Sequence, residues 1–138
     1  MIMRIRAFFD SNIIIYAFLR DEIGKGDIAL ELIRTSVPII STQVLNECAN
    51  IFLRKIGATP SETKGHLGTI KKFCETRRIS EGTIDLALDI KTQYGYSYYD
   101  SLILSTAIEN ECKIVYSEDM QHQQIIENLQ IINPFAAM

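Results

Sequence analysis

Asp10, Glu47, Asp100 and Asp119 are the residues whose types and placement could do chemistry together, and that chemistry would be the chemistry of oxygen ligands. Asp100 sits in the stretch YYDSLILSTA, residues 98–107. On a helix it shares a stripe with Ile103, Leu104, Ala107 and Ile108, the i, i+3, i+4, i+7, i+8 face that should point inward. A carboxylate on that side is costly unless something compensates its charge. Each acid also has a plainer reading. Ser97 and Asp100 could form a capping box, and Asp10, before Ser11 and Asn12, could form an Asx-turn at a strand end. Glu47 could be a solvated charge on a helix flank, and Asp119, beside Glu118, an acid at a helix start.

The elements around these acids are needed to decide whether they meet. Residues 4–9 read as a buried first strand ending at Asp10. Residues 12–19 (NIIIYAFL) follow as a short helix, although the isoleucine run would suit a strand by propensity. Residues 20–26 read as loop, after which Asp27 can cap a helix through Arg34. Residues 37–40 are long enough only for a strand, and Ser41 or Thr42 can cap the next helix, over about residues 42–55. That helix carries Val44, Leu45, Cys48, Ala49 and Phe52 on its apolar face and stops near Gly57.

Thr59, Pro60 and Glu62 give the clearest start signal in the chain, with cap, N1 proline and capping box together. The helix predicted from there runs to about Thr76, with Leu67, Ile70 and Phe73 apolar. Residues 77–79 form a short strand or a link. Ser80 opens a second amphipathic helix through Ile84, Ala87, Leu88 and Lys91, closed by Gly95. After the Asp100 helix, residues 113–116 (KIVY) make a short strand, residues 120–129 a last helix, and residues 130–132 a final edge strand.

Short apolar strands alternating with helices predict an α/β fold, a parallel sheet covered on both faces. With 138 residues, 47% of them hydrophobic, one domain with its own core is expected. No apolar stretch approaches the roughly 20 residues needed to span a bilayer. The N-terminal run meets Asp10 and Asn12 too soon for a signal peptide, so a cytoplasmic location is expected. Three widely spaced cysteines make neither a disulfide framework nor a C-x-x-C site. A net charge of -3 argues against a protein that simply coats nucleic acid, while leaving room for an enzyme that touches it locally.

In an open α/β sheet, ligands bind beyond the carboxyl ends of the strands. Asp10 ends the first strand, Asp119 lies just past the KIVY strand, and Asp100 opens the helix before it. Glu47 is early in the helix after the second strand. All four therefore converge on one rim. Left alone they would repel and raise one another's pKa values, a conflict that Mg²⁺ or Mn²⁺ resolves. Ser11, Asn12, Ser41, Thr42, Gln43 and Ser117 supply polar groups suited to a hydrated ion. Phosphodiester cleavage is the chemistry such a cluster fits, with the cation polarising the phosphate and acidifying a water, and a second ion about 4 Å away if two bind.

These residues carry a family likeness. FFDSNIIIYAF, STQVLNE, YSYYDSLILSTA and VYSEDMQHQQII resemble, in order and spacing, the acidic motifs of the PIN domain, and more narrowly those of the VapC toxins. The resemblance implies an α/β/α sandwich with a central parallel sheet and a Mg²⁺- or Mn²⁺-dependent ribonuclease site. On it, Asp10, Asp100 and Asp119 would hold metal, Glu47 would hold or orient the metal or its water, and Asn12 and Ser117 would support the acids. It also implies an RNA substrate, a homodimer and a cognate antitoxin protein whose tail reaches toward the site. Ser11 stands where threonine is common, which preserves the hydroxyl.

Lys71, Lys72, Arg77 and Arg78 are candidate RNA contacts, or a solvated helix face. Tyr96, Tyr98 and Tyr99 could stack on bases, or serve core packing or a dimer seam. His122 and His66 have no partner in the pattern, and metal chemistry needs neither. The rival functions are a nuclease of the same fold acting on DNA or in RNA processing, and a non-catalytic protein-binding domain. A phosphoacceptor receiver lacks its acceptor aspartate after the second strand and its later lysine. A haloacid-dehalogenase phosphatase would need an aspartate where Asn12 stands.

Overall fold

The computed structural model describes residues 3–19 and 24–138. Its elements are β1 (Arg6–Phe9), α1 (Ser11–Leu19), α2 (Lys25–Thr35), β2 (Val37–Ser41), α3 (Thr42–Ile51), α4 (Pro60–Phe73) and β3 (Glu75–Arg77). They continue with α5 (Glu81–Tyr94), α6 (Tyr98–Glu109), β4 (Ile114–Tyr116), β5 (Ile125–Ile126) and β6 (Leu129–Ile132). The six strands form one sheet in the order β3-β2-β1-β4-β6-β5. All pairings are parallel except β5 with β6. The expected α/β class, a largely parallel sheet flanked by helices, is what the chain forms.

The chain winds outward from β1 through β2 to β3, then returns to lay β4 on the other side of β1. The gap beyond β1 and β4 is therefore the point where strand order reverses, the usual ligand crevice of open α/β sheets. Right-handed crossovers put α1 to α4 on one face and α5 and α6 on the other. In keeping with this, α1 packs on α2 and α3, while α5 packs on α6, which lies against β1, β2 and β4. The core is centred on Phe8, Phe9, Ile39, Ile40, Val115 and Ile131 of the sheet, with Ile13, Ile14, Phe52, Ile70 and Leu104 from the helices. Among the described residues, no helix is long and apolar enough to cross a membrane.

Local chemistry sets most boundaries. Thr59 and Glu62 form the expected capping box on α4 with Pro60 at its start. Ser80 caps α5 with Thr83 as its reciprocal partner, and Gly95 ends that helix at φ +79. Ser41 caps α3, accepting from Val44 N at 3.1 Å. α3 continues as a π-helical turn over Phe52–Ile56 before Gly57, at φ +75, stops it. The widened turn still buries Phe52, whose ring stacks on His66 at 4.6 Å, giving that histidine a packing role.

Several expectations need correction. Residues 120–129 form turns and the β5–β6 hairpin, without a helix. Ile125, Ile126 and Leu129 fit a helical spacing as well as a strand one, and the open edge of β4 settles the matter by pairing with β6. Glu127 makes the tight reversal at φ +56. β6 is consequently interior, and β5 takes the edge.

Asp27 does not cap α2, because the helix starts earlier, after Gly24 at φ +82. It lies in the first turn, where its charge suits the helix dipole. Of the loop expected over residues 20–26, residues 20–23 lie outside the described residues, and Lys25 and Gly26 are helical. On α5 the buried face is Thr83, Ala87 and Ile90, so Ile84 and Leu88 turn outward. α4 ends at Phe73, which is exposed and touches Phe18 with ring centroids 5.8 Å apart. The link before Ser80 contains β3, shifted to Glu75–Arg77.

Candidate active site

Asp10 is the floor of the crevice. It follows β1, and its backbone N–H pairs with the carbonyl of Tyr116 on β4 at 3.0 Å, while its own carbonyl starts α1 by accepting from Ile14 N. The residue is 4% exposed. Oδ1 accepts from Ser11 N at 2.7 Å, and Oδ2 from Ser117 Oγ at 2.9 Å. Burial outweighs these two hydrogen bonds and, helped by the charges of Glu47 and Asp100, pushes the carboxyl up to about 7.

The other acids are arranged around it. Glu47 projects half-buried from α3, where Oε2 accepts from Ser11 Oγ at 3.1 Å and Oε1 from Gln43 Nε2 at 3.4 Å. Ser11 therefore bridges Asp10 and Glu47 through its amide and hydroxyl. Asp119 is exposed beyond β4. Asn12 Nδ2 on α1 donates to its Oδ2 at 3.2 Å, and its own N–H donates to Ser117 Oγ at 3.3 Å. Ser117 thus receives from one acid's backbone while donating to another's carboxylate.

Asp100 stands in the first turn of α6, its N–H capped by Ser97 Oγ at 3.2 Å. No bond from its carboxylate to the Ser97 backbone completes a capping box, and the carboxylate takes a hydrogen bond from the Ser97 side chain instead. Burial raises its pKa, opposed by the hydrogen bond to Ser97, with the charge of Asp119 adding to the rise. α6 itself is more buried than a one-stripe reading implies: every residue from Ser101 through Ala107 is buried. It lies between α5 and the sheet, and Ser105 and Thr106 spend their hydroxyls on the carbonyl of Leu102.

All four acids thus share one electrostatic environment, graded from buried Asp10 through half-buried Glu47 and Asp100 to exposed Asp119. Among the described residues none of the four is paired with Lys or Arg. Nor do three acids, cysteines or histidines among them stand close enough to hold a metal ion as they are. The donor set nonetheless suits a hard divalent cation in its chemistry: it is all oxygen, it has no counter-charge among the described residues, and it contains a carboxyl that burial disfavours as an anion.

Other residues divide between site and scaffold. Ser41 is spent on the α3 cap, and Thr42 Oγ1 accepts from Ile79 N at 3.4 Å. His122 Nδ1 accepts from Asn133 N at 2.9 Å, which makes it a turn brace. Tyr99 is 58% exposed and lines, with Gln43, Asn46, Glu47 and Asn50, an open cavity of about 380 Å³ beside the acids. Arg77 pairs with Glu75 at 2.9 Å, on the surface. Cys48, Cys74 and Cys112 are buried free thiols, pushed up by burial to about 12, 12 and 11, the surroundings of packed, structural cysteines. Glu118, next to Asp119, was not singled out by sequence, yet it is gripped by Tyr16 and Lys25. The only sequence signal is that Tyr16 lies one turn after Asn12 on the same helix.

The model of the PIN domain family matches residues 7–127. The chain belongs to the PIN domain family. Among curated proteins none matches its sequence significantly. Among solved structures it resembles the toxin–antitoxin complex from Klebsiella pneumoniae, with TM-score 0.70 and 17% identity over 94% of this chain and 98% of that one. VapBC2 from Rickettsia felis, bound to a DNA fragment from its promoter, matches with TM-score 0.68 and 18% identity over 91% and 96%. Mycobacterium tuberculosis VapC20, a toxin that cleaves the sarcin–ricin loop, matches with TM-score 0.67 and 15% identity over 82% and 89%. This PIN domain is thus structurally close to the VapC-like proteins of toxin–antitoxin systems.

Proposed function

We propose that this PIN domain is a divalent-metal-dependent endoribonuclease, and that it is the toxin of a toxin–antitoxin pair. One observation carries the reading: four carboxylates share the switch-point crevice, and none of them has a cationic partner among the described residues. Asp10, Asp100 and Asp119 would hold Mg²⁺ or Mn²⁺, with Glu47 as a further ligand or as the group that orients the attacking water. When bound, such a cation supplies Lewis acidity for the scissile phosphate and lowers the pKa of a water.

The chain's own residues do the rest. Ser11 and Ser117 hold the two oxygens of Asp10 in place, and Asn12 holds Asp119. Glu47, half-buried and tied through one oxygen to Ser11, would orient water approaching the phosphate and take its proton. The substrate would be a strand of RNA lying across the exposed side of the crevice, where Asp119 stands.

The partner proposed is a cognate antitoxin, on the precedent of the Rickettsia felis and Klebsiella pneumoniae assemblies. A homodimer is proposed as well. Ile84, Leu88 and Tyr99, exposed on α5 and α6, offer apolar area for a second copy to cover. The setting proposed is the cytoplasm, and the unit a single domain.

The test is cleavage of a panel of single-stranded, stem-loop and transfer RNAs by the partner-free chain, with Mn²⁺ or Mg²⁺ and then EDTA, beside Asp100→Asn. Metal-dependent cleavage that the variant loses supports the reading. A folded wild type that neither cleaves nor binds Mn²⁺ overturns it.

A further inference from the structure

The loop carrying Asp119 is held by a second set of contacts that the nuclease reading does not use. Asn12 and Tyr16 stand one helical turn apart on α1, so both face this loop. Asn12 takes Asp119, and the Tyr16 hydroxyl donates to Oε1 of the preceding Glu118 at 2.6 Å. Lys25 Nζ, at the first residue of α2, donates to Oε2 of Glu118 at 2.5 Å. Both oxygens of Glu118 are therefore occupied, by donors from two helices. The Lys25 ammonium also lies 4.9 Å from the Tyr16 ring centre and 5.2 Å from that of Phe135. Those two rings meet edge to face at 5.4 Å.

Gripping one residue of a short loop at both carboxylate oxygens restricts the backbone dihedrals that aim its neighbour. The grip also keeps Glu118, a fifth carboxylate within one residue of Asp119, bonded to Tyr16 and neutralised by Lys25. We propose that Lys25 and Tyr16, acting through Glu118, are positioning residues that aim the Asp119 carboxylate at the cation. This inference rests on the metal-dependent reading of the site. The contacts span residues 16, 25 and 118, so tertiary packing alone brings them together.

The experiment compares wild type, Lys25→Met, Tyr16→Phe, Lys25→Arg and Asp119→Asn as full chains, free of partner. Mn²⁺ affinity is followed by electron paramagnetic resonance, and amide hydrogen exchange at Glu118 and Asp119 is measured without metal. Lys25→Met and Tyr16→Phe are expected to weaken Mn²⁺ binding about three- to ten-fold, below the roughly 10–100-fold for direct partners of metal ligands because they act one residue further away. Exchange at Asp119 should rise while melting temperature moves little, because the pair is near the surface. Lys25→Arg should recover most of the loss. In an Asp119→Asn background, Lys25→Met should change Mn²⁺ affinity no further.

Equal weakening in both backgrounds overturns the proposal, as does unchanged exchange at Asp119 in Lys25→Met. A large drop in melting temperature with affinity intact also overturns it, by assigning the network to stability alone. A wild type that binds no Mn²⁺ overturns the cation reading and the aim toward it. In that case, faster Asp119 exchange in Lys25→Met would show the grip on the loop to be real.

Discussion

Replacing Asp10 with asparagine should make the protein more stable at mildly alkaline pH, and its magnitude follows from the floor of the crevice. The carboxyl is raised from its ordinary value of 3.8 to about 7, chiefly by burial. The folded chain therefore holds this proton more tightly than the unfolded chain does. Its contribution is fully present below the unfolded pKa and is lost progressively as pH rises through the folded one. Roughly three pH units at about 1.4 kcal/mol each give a loss of about 4 kcal/mol between acid and mildly alkaline conditions.

Asparagine cannot ionise, and the geometry lets it keep both contacts. Its Oδ1 can accept from Ser11 N, and its Nδ2 can donate to Ser117 Oγ, because a hydroxyl has two lone pairs. One of those lone pairs already receives Asp119 N, so the Ser117 oxygen becomes fully used, while its buried O–H loses Asp10 as acceptor, a cost of about 1 kcal/mol or more that offsets part of the gain. In urea titrations with EDTA, Asp10→Asn should exceed wild type by about 2–4 kcal/mol near pH 8, and the gain should vanish near pH 4. At about 3 °C per kcal/mol for a chain of this size, the melting temperature at the higher pH should rise by roughly 10 °C. Added Mn²⁺ should stabilise wild type much more than the variant and narrow the gap. Parallel pH profiles for the two proteins, or a variant less stable near pH 8, would refute the reasoning.

Asp100→Asn should lose at least about 100-fold in metal-dependent RNA cleavage, in the manner of other electrostatic contributors to catalysis, while circular dichroism shows the fold retained. Glu127→Gly should stabilise the β5–β6 hairpin by roughly 0.5–1 kcal/mol, since φ +56 suits glycine better than glutamate; chemical denaturation would measure the gain. Ser80→Ala should cost about 1 kcal/mol by removing the α5 cap, seen as a lower urea midpoint with an unchanged slope. Leu104→Ala, fully buried in α6, should cost about 2–5 kcal/mol in the same assay.

The sequence by itself determined the features that depend on near neighbours. The caps at Thr59 and Ser80 and the stops at Gly57 and Gly95 satisfy helix ends with groups three or four residues away, and all four stand where they were expected. The alternation of β-branched runs with such helices was enough for the α/β class, because few arrangements cover both faces of a parallel sheet. From that class it followed that the four acids lie beyond strand ends, and the family motifs pointed to the same four.

Tertiary structure decided whatever depends on distant partners. Residues 120–129 suit a helix locally, but the unpaired edge of β4 takes Leu129–Ile132 as a strand and turns the segment before it into a hairpin. α6 looks one-sided in sequence, yet α5 covers its second face. Ile84 and Leu88 fit an apolar stripe but turn outward, because Thr83 meets Glu109 at 2.5 Å and fixes which side of α5 faces α6. The ordering of the acids by burial and the grip of Tyr16 and Lys25 on Glu118 are products of the same packing. Hydrogen bonds and desolvation act over a few ångströms, and only the folded chain brings Asp10, Glu47 and Asp119 within that range of Ser11 and Ser117, and Asp100 within range of their charge.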